Sequence, residues 1–135
     1  RYSDSGLFSI QGNIMARSSF AGPLQVGLGA KQSVTQTTNR STGVTINAVS
    51  GQIVTDATSL AAGAEAKFVV TNDKVRASSV PVIAVKGGQT ADTSIATVVA
   101  VADGSFTIQL TNLNAATADT GAMTINFIIF DAPAV

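Results

Sequence analysis

Residues 95–111 read IATVVAVADGSFTIQLT, with an alternating run on each side of Asp103-Gly104. Successive side chains of a strand point to opposite faces, so each run predicts a strand with one apolar face. Asp-Gly between two such runs is typical of a type I′ hairpin turn, in which both central residues need positive φ. The stretch therefore predicts a β-hairpin. On the first strand, one face is predicted to carry Ile95, Thr97, Val99 and Val101. On the second strand, the inward face is predicted to carry Phe106, Ile108 and Leu110.

The same alternation recurs on both sides of this hairpin. Turn residues at 50–51, 72–73 and 87–88 separate the runs, and no long helical stripe is present. The final strand has a second face that becomes apolar at Ile128 and Phe130, which predicts cover on both sides. Seven or eight short strands indicate an all-β chain, an antiparallel β-sandwich or a jelly-roll-like barrel. The predicted one-face sets are Val44, Ile46 and Ala48; Ala66, Phe68 and Val70; and Met123, Ile125, Phe127 and Ile129.

The chain divides into an N-terminal arm and linker, residues 1–42, and a β-sandwich domain, residues 43–135. Glycines interrupt the arm, and within it a strand is predicted only for residues 24–28. Residues 31–42 are polar and predict a linker or an exposed edge strand. Large apolar side chains should not lie free in water, so the extended arm is expected to contact a neighbouring subunit, with packing on its own domain left open. The alternative is an ordinary first strand with a flexible terminus. The residues expected to make this contact are Leu7, Phe8, Ile10, Ile14, Met15 and Phe20.

The composition restricts the function classes. The 135 residues have the size of one domain, and only 12% are charged, against about 25% in a typical soluble domain. The formal net charge of zero argues against a nucleic-acid partner and against a polybasic membrane surface. No apolar run reaches the length of a membrane span, so no membrane partner is expected. Short Thr, Ser, Asn and Gln side chains instead suit packing against other copies, because ordering them costs little rotamer entropy.

Catalytic, cofactor and metal sites are not expected, and the chain is predicted not to be an enzyme. It has no cysteine and no histidine, which removes thiolate ligands, the commonest metal ligand and the commonest general base. Most acidic residues lie at predicted turns, where Asp caps its own backbone. Asn39-Arg40-Ser41 formally matches a glycosylation acceptor, a tripeptide that is common by chance. A nucleophilic hydroxyl would need a lysine as its base, namely Lys31, Lys67, Lys74 or Lys86.

Four stretches carry a resemblance to a known family. A Thr-Gln-Thr approach and an alternating strand span 34–46, and Ala-Ala-Gly precedes a Phe-Val strand in 61–70. Ala-Asp-Gly-Ser-Phe-Thr-Ile spans 102–108, and Ile-Asn-Phe follows at 125–127. Through these motifs residues 43–130 resemble small β-rich virion proteins of tailed bacteriophages, specifically of the capsid decoration or cement type.

The resemblance implies a structural protein on the exterior of a phage capsid, made in the host cytoplasm. Such proteins are often homotrimers that bridge subunits of the major capsid protein, and many weak contacts repeated by symmetry give the required avidity. Two alternatives remain open, a phage tail or fibre component and a carbohydrate-binding, adhesin-like β module. Sugar sites usually present aromatic faces. This chain has only Tyr2 and six Phe, most of which alternate inward.

Overall fold

A computed structural model describes residues 32–132, and this part of the chain is all-β with no helix. The predicted arm contacts and the predicted strand 24–28 lie outside the described residues. The eight strands are β1 (Ser33–Thr35), β2 (Val44–Thr45), β3 (Ser50–Val54), β4 (Glu65–Thr71), β5 (Ser79–Gly87), β6 (Ser94–Ala102), β7 (Ser105–Asn112) and β8 (Thr124–Asp131).

The strands form two four-stranded sheets, which are not closed into a barrel. The first sheet has the order β1-β3-β8-β5 and the second has the order β2-β4-β7-β6. The arrangement is consistent with a β-sandwich, and the predicted jelly-roll-like barrel is wrong. The sheets are also mixed rather than purely antiparallel, since β1 pairs with β3 and β2 pairs with β4 in parallel. The parallel pairs arise because the first four strands alternate between the sheets, so that strands two apart in sequence become neighbours.

The core lies between the two sheets. Phe106 on β7 and Phe127 on β8 meet across it, with ring centroids 5.9 Å apart and an interplanar angle of 55°. The alternation predicted the inward faces of β4, β7 and β8, and the inward set at 44–48, correctly. Residues buried in this core are Val44, Ile46, Ala48, Ile53, Leu60, Phe68, Val70, Val75, Phe106, Ile108, Leu110, Met123, Ile125, Phe127 and Ile129.

The first strand of the hairpin corrects the predicted face. A register shift between Val98 and Ala100 marks a β-bulge in β6, which adds one residue and reverses the alternation after it. Consequently Val101 lies on the inner side with Val98, and the residues assigned to one face with Val101 point outward. These outward residues, all exposed, are Ile95, Thr97 and Val99.

The hairpin turn at Asp103-Gly104 is confirmed, but its predicted type is wrong. Only Gly104 has positive φ, at 79°. A type I′ turn needs positive φ at both central residues, whereas a type II turn needs it only at the second. The loop between β4 and β5 stabilises this turn through two hydrogen bonds. Asp103 Oδ1 accepts from the Ala77 N–H at 2.8 Å, and the Gly104 N–H donates to the Val75 carbonyl at 2.9 Å.

The turn predicted at Ser50-Gly51 is also wrong, since both residues lie in β3. Residues 46–49 carry the chain from the second sheet to the first. A Cβ on Gly51 would lie 3.0 Å from both Ile46 Cδ1 and Phe127 Cε1. This glycine therefore serves close packing of side chains onto the strand backbone rather than a turn.

Candidate interaction surfaces and a buried ion pair

An apolar strip lies on the outer face of the first sheet. It consists of Val80 and Val82 on β5 with Ile128 and Phe130 on β8. The strand register places Val80 opposite Phe130 and Val82 opposite Ile128, so the four side chains are contiguous. Phe130 is 50% exposed and Val82 is 47% exposed. The cover predicted for both faces of β8 is therefore absent from the described part of the chain, where this outer face is open at Phe130.

The second sheet presents a different outer face, called here the threonine face. Its centre is the outward side of β7, which carries hydroxyl and amide side chains, and exposed valine and isoleucine side chains flank it on β4 and β6. The charged residues on this face are Glu65 and Lys67, one of each sign, on β4. The threonine face consists of Ser105, Thr107, Gln109 and Thr111 on β7, Glu65, Lys67, Val69 and Thr71 on β4, and Ile95, Thr97 and Val99 on β6.

Arg40 is the centre of a buried polar cluster at one end of the sandwich. Its side chain is 3% exposed. Nε donates to the Thr58 carbonyl at 2.5 Å, and Nη2 donates to the carbonyls of Asp119 and Gly121 at 3.1 and 2.8 Å. Nη2 also lies 3.7 Å from Asp119 Oδ1. The guanidinium therefore ties together two loops that are far apart in sequence.

The Asp119 carboxylate is fully buried opposite this guanidinium. Its Oδ1 accepts from the backbone N–H groups of Thr90 and Gly121 at 2.9 and 3.0 Å. Burial raises the pKa of Asp119, but the nearby Ser94 hydroxyl, these two N–H groups and the Arg40 guanidinium lower it more. The pKa of Asp119 thus lies below its ordinary value, and the residue carries its charge in the folded chain.

Stability is expected to depend on this carboxylate at acid pH. Because the pKa of Asp119 is lower in the folded than in the unfolded chain, its stabilisation is present above the ordinary pKa and is lost as pH falls through the folded value. The free energy of unfolding should therefore fall more steeply from about pH 5 to pH 2 in the wild type than in Asp119→Asn. Urea unfolding at several pH values measures this.

A second acidic group must be separated from this effect. The Thr58 hydroxyl, followed by the Thr58 N–H, lowers the pKa of Asp56. We therefore expect Asp119→Asn to keep part of the acid dependence and Asp56→Asn/Asp119→Asn to keep less. Identical acid dependence in the wild type and in Asp119→Asn would contradict the assignment to Asp119.

Two buried amides extend the cluster into neighbouring loops. Gln36 Nε2 donates to the carbonyls of Arg40 and Thr42 at 3.1 and 2.7 Å. Asn112 Nδ2 donates to three loop carbonyls. All of these amide contacts are to backbone carbonyls, so the two side chains order the loops around the cluster. Sequence reasoning missed Arg40 and Gln36 because their segment lacks apolar alternation. The one available signal was that Arg40 is the single charged residue in 32–55.

The structure does not bring the other candidate residues together into a site. Lys67, Lys74 and Lys86 are exposed, and Lys74 Nζ lies 3.1 Å from the exposed Asp73 carboxylate. Asn39 is exposed and its Oδ1 accepts from the Ser41 N–H at 2.8 Å. Within 32–132 no three acidic residues come together as a metal site. The arm contacts and Lys31 lie outside the described residues.

Aromatic side chains are mostly buried in the described part of the chain. Phe68, Phe106 and Phe127 are in the core, which leaves Phe130 as the exposed ring there. For the carbohydrate-binding alternative, Phe130 is therefore the aromatic ring that the described residues expose to solvent. The described residues include no helix that is long and apolar enough to cross a membrane. No protein-family model, curated protein or solved structure matches this chain.

Proposed function

We propose that this chain is an adhesive structural protein of a phage virion, a decoration protein on the outside of the capsid. The observation that supports this best is the threonine face, an open sheet surface with two opposite charges and otherwise short polar or β-branched side chains. The resemblance of residues 43–130 to capsid decoration proteins points the same way.

The threonine face has the chemistry of a protein contact surface. The central parts of protein interfaces are depleted in charged residues, which would otherwise be desolvated without a partner. Threonine and valine lose little rotamer freedom when they are covered. Val69 and Val99 are exposed at 45% and 47%, which leaves apolar area to bury. Hydroxyl groups on Thr107 and Thr111 can donate or accept at the same surface.

Repetition supplies the affinity in this proposal. A single face of this kind gives weak binding, but a homotrimer that bridges subunits of the major capsid protein makes several such contacts at once. Synthesis in the host cytoplasm agrees with the absence of cysteine, because no disulfide has to form.

The variant Thr107→Lys is expected to abolish most binding to the shell. Thr107 points outward from the central strand and pairs with Val69 on β4. A lysine there would place a desolvated charge in the middle of the contact, which typically costs several kcal/mol. Co-sedimentation with empty heads of the same virus, at protein concentrations near half-saturation, measures the occupancy.

A matched control separates surface effects from charge in general. Thr117→Lys introduces the same side chain at an exposed loop position away from the sheet face, and should leave occupancy unchanged. Light scattering coupled to gel filtration should give the mass of a trimer for the wild type. Equal occupancy of both variants, or full occupancy of Thr107→Lys, would refute the role of the threonine face.

A further inference from the structure

We infer that the N-terminal segment of this chain, residues 1–31, covers the apolar strip on the outer face of the first sheet. Val80, Val82 and Phe130 are exposed at 49%, 47% and 50%, and Ile128 lies between them. Single exposed apolar side chains are normal, but a contiguous group on neighbouring strands marks a contact surface. We therefore expect a specific polypeptide segment to cover this strip.

Polar neighbours limit this strip. Ser50 pairs with Ile128 on the β3 side, and the next row along β8 is Asn126, which accepts from Gln52 Nε2 at 3.0 Å. The apolar surface is thus a narrow band along β5 and the end of β8. A band of this shape fits one extended or irregular segment better than a broad sheet or a whole domain.

The composition of residues 1–31 suits this band. Between Gly6 and Gly29 the only charged residue is Arg17. Residues 7–20 of this interval include six large apolar side chains, for which burial against an apolar surface is favourable. These side chains are Leu7, Phe8, Ile10, Ile14, Met15 and Phe20.

The segment can also reach the band. It joins the described chain at Gln32, whose carbonyl accepts from the Gln52 N–H at 3.0 Å, directly before β1. β1 belongs to the same sheet, in which β8 and β5 are the third and fourth strands. With strands about 4.8 Å apart, the strip is about 10–15 Å from β1. Residues 21–31 alone can span about 35 Å when extended.

The segment of the same chain has an advantage over any second copy. A segment that is covalently joined to the sheet it contacts has an effective concentration in the millimolar range, far above the protein concentration of a dilute solution. The sequence alone leaves open whether these side chains contact a neighbouring subunit or their own domain. In the free chain the geometry favours the strip of the same chain.

Thiol labelling of the full chain tests this inference, because the sequence has no cysteine of its own. Two variants are compared at micromolar concentration with a maleimide reagent, Val82→Cys on the strip and Thr97→Cys on the opposite outer face. Both positions are exposed in the described residues. If residues 1–31 cover the strip, the thiol at position 82 should react at least about tenfold more slowly than the thiol at position 97.

Two further measurements identify the cover. Adding Phe8→Asp and Phe20→Asp should bring the rate at position 82 up to that at position 97, and should leave the rate at position 97 unchanged. Protection should also be independent of protein concentration. Equal rates in the two single variants, protection that survives both aspartates, or protection that disappears on dilution would each overturn the inference. The experiment uses no capsid, so its outcome is separate from that of the shell-binding test.

Discussion

The Gly88→Ala variant is expected to lose at least about 3 kcal/mol of unfolding free energy. A Cβ at this position would lie 2.1 Å from the Ala122 carbonyl oxygen and 3.1 Å from its carbonyl carbon. The obstacle is backbone, which cannot rotate away as a side chain can. Gly88 also has φ of +95°, a conformation that L residues rarely adopt. Urea unfolding followed by circular dichroism measures the loss.

Two other glycines separate the collision from the backbone conformation. Gly63 has φ of +73° with nothing within 4 Å of its Cβ position, so Gly63→Ala should cost only about 1 kcal/mol. A Cβ on Gly121 would lie 2.0 Å from the Gly88 carbonyl oxygen, so Gly121→Ala should be severe through contact alone. If Gly88→Ala loses no more unfolding free energy than Gly63→Ala, the close approach of the backbone at Gly88 to the backbone at Gly121 would be contradicted.

The sequence predicted the fold well where one face of a strand is apolar and the other polar. On β7, Phe106 and Ile108 alternate with Thr107 and Gln109, and this pattern has one solution. On β6 both faces are apolar, so alternation alone could not choose between Ile95 and Val98. The bulge then reversed the pattern within the strand. The position of this bulge is determined by pairing with β7, so the sequence of β6 alone contains no signal for it.

The order of the strands within each sheet could not be predicted from the sequence, for a related reason. β2 is two residues long and pairs in parallel with β4, which lies twenty residues further along. Local patterns are typical of strands but carry no information about which strand lies next to which. The mixed sheets therefore emerged only from the three-dimensional arrangement.

The buried ion pair was hidden for the same reason. Arg40 and Asp119 are separated by 79 residues. A buried charge is expected only where partners neutralise it, and here most partners are backbone carbonyls and N–H groups, which any sequence supplies. The sequence around Arg40 therefore predicts a linker or an edge strand. Ser33–Thr35 forms such an edge strand, and Arg40 anchors the loop that follows it.

The Arg40→Met variant is expected to lose about 3–5 kcal/mol of unfolding free energy at neutral pH. Methionine has a similar length and no charge, so packing changes little. The loss has two sources: three carbonyl groups lose their donor, and the Asp119 carboxylate remains buried without its cation. Arg40 Nη1 has no hydrogen-bond partner among residues 32–132, so the effect expected from these residues arises through Nε and Nη2.

A double-mutant cycle distinguishes the ion pair from the loop contacts. Asp119→Asn keeps an oxygen that can accept from Thr90 and Gly121, and removes the charge. We expect Arg40→Met/Asp119→Asn to lose less free energy than the two single variants added together, because neither buried charge is then left alone. The matched control is Arg76→Met, since Arg76 is exposed and donates to carbonyls of its own turn. It should change stability by no more than about 0.5 kcal/mol. Additive losses in the cycle would mean that the carbonyl contacts, and not the charge of Asp119, make Arg40 necessary.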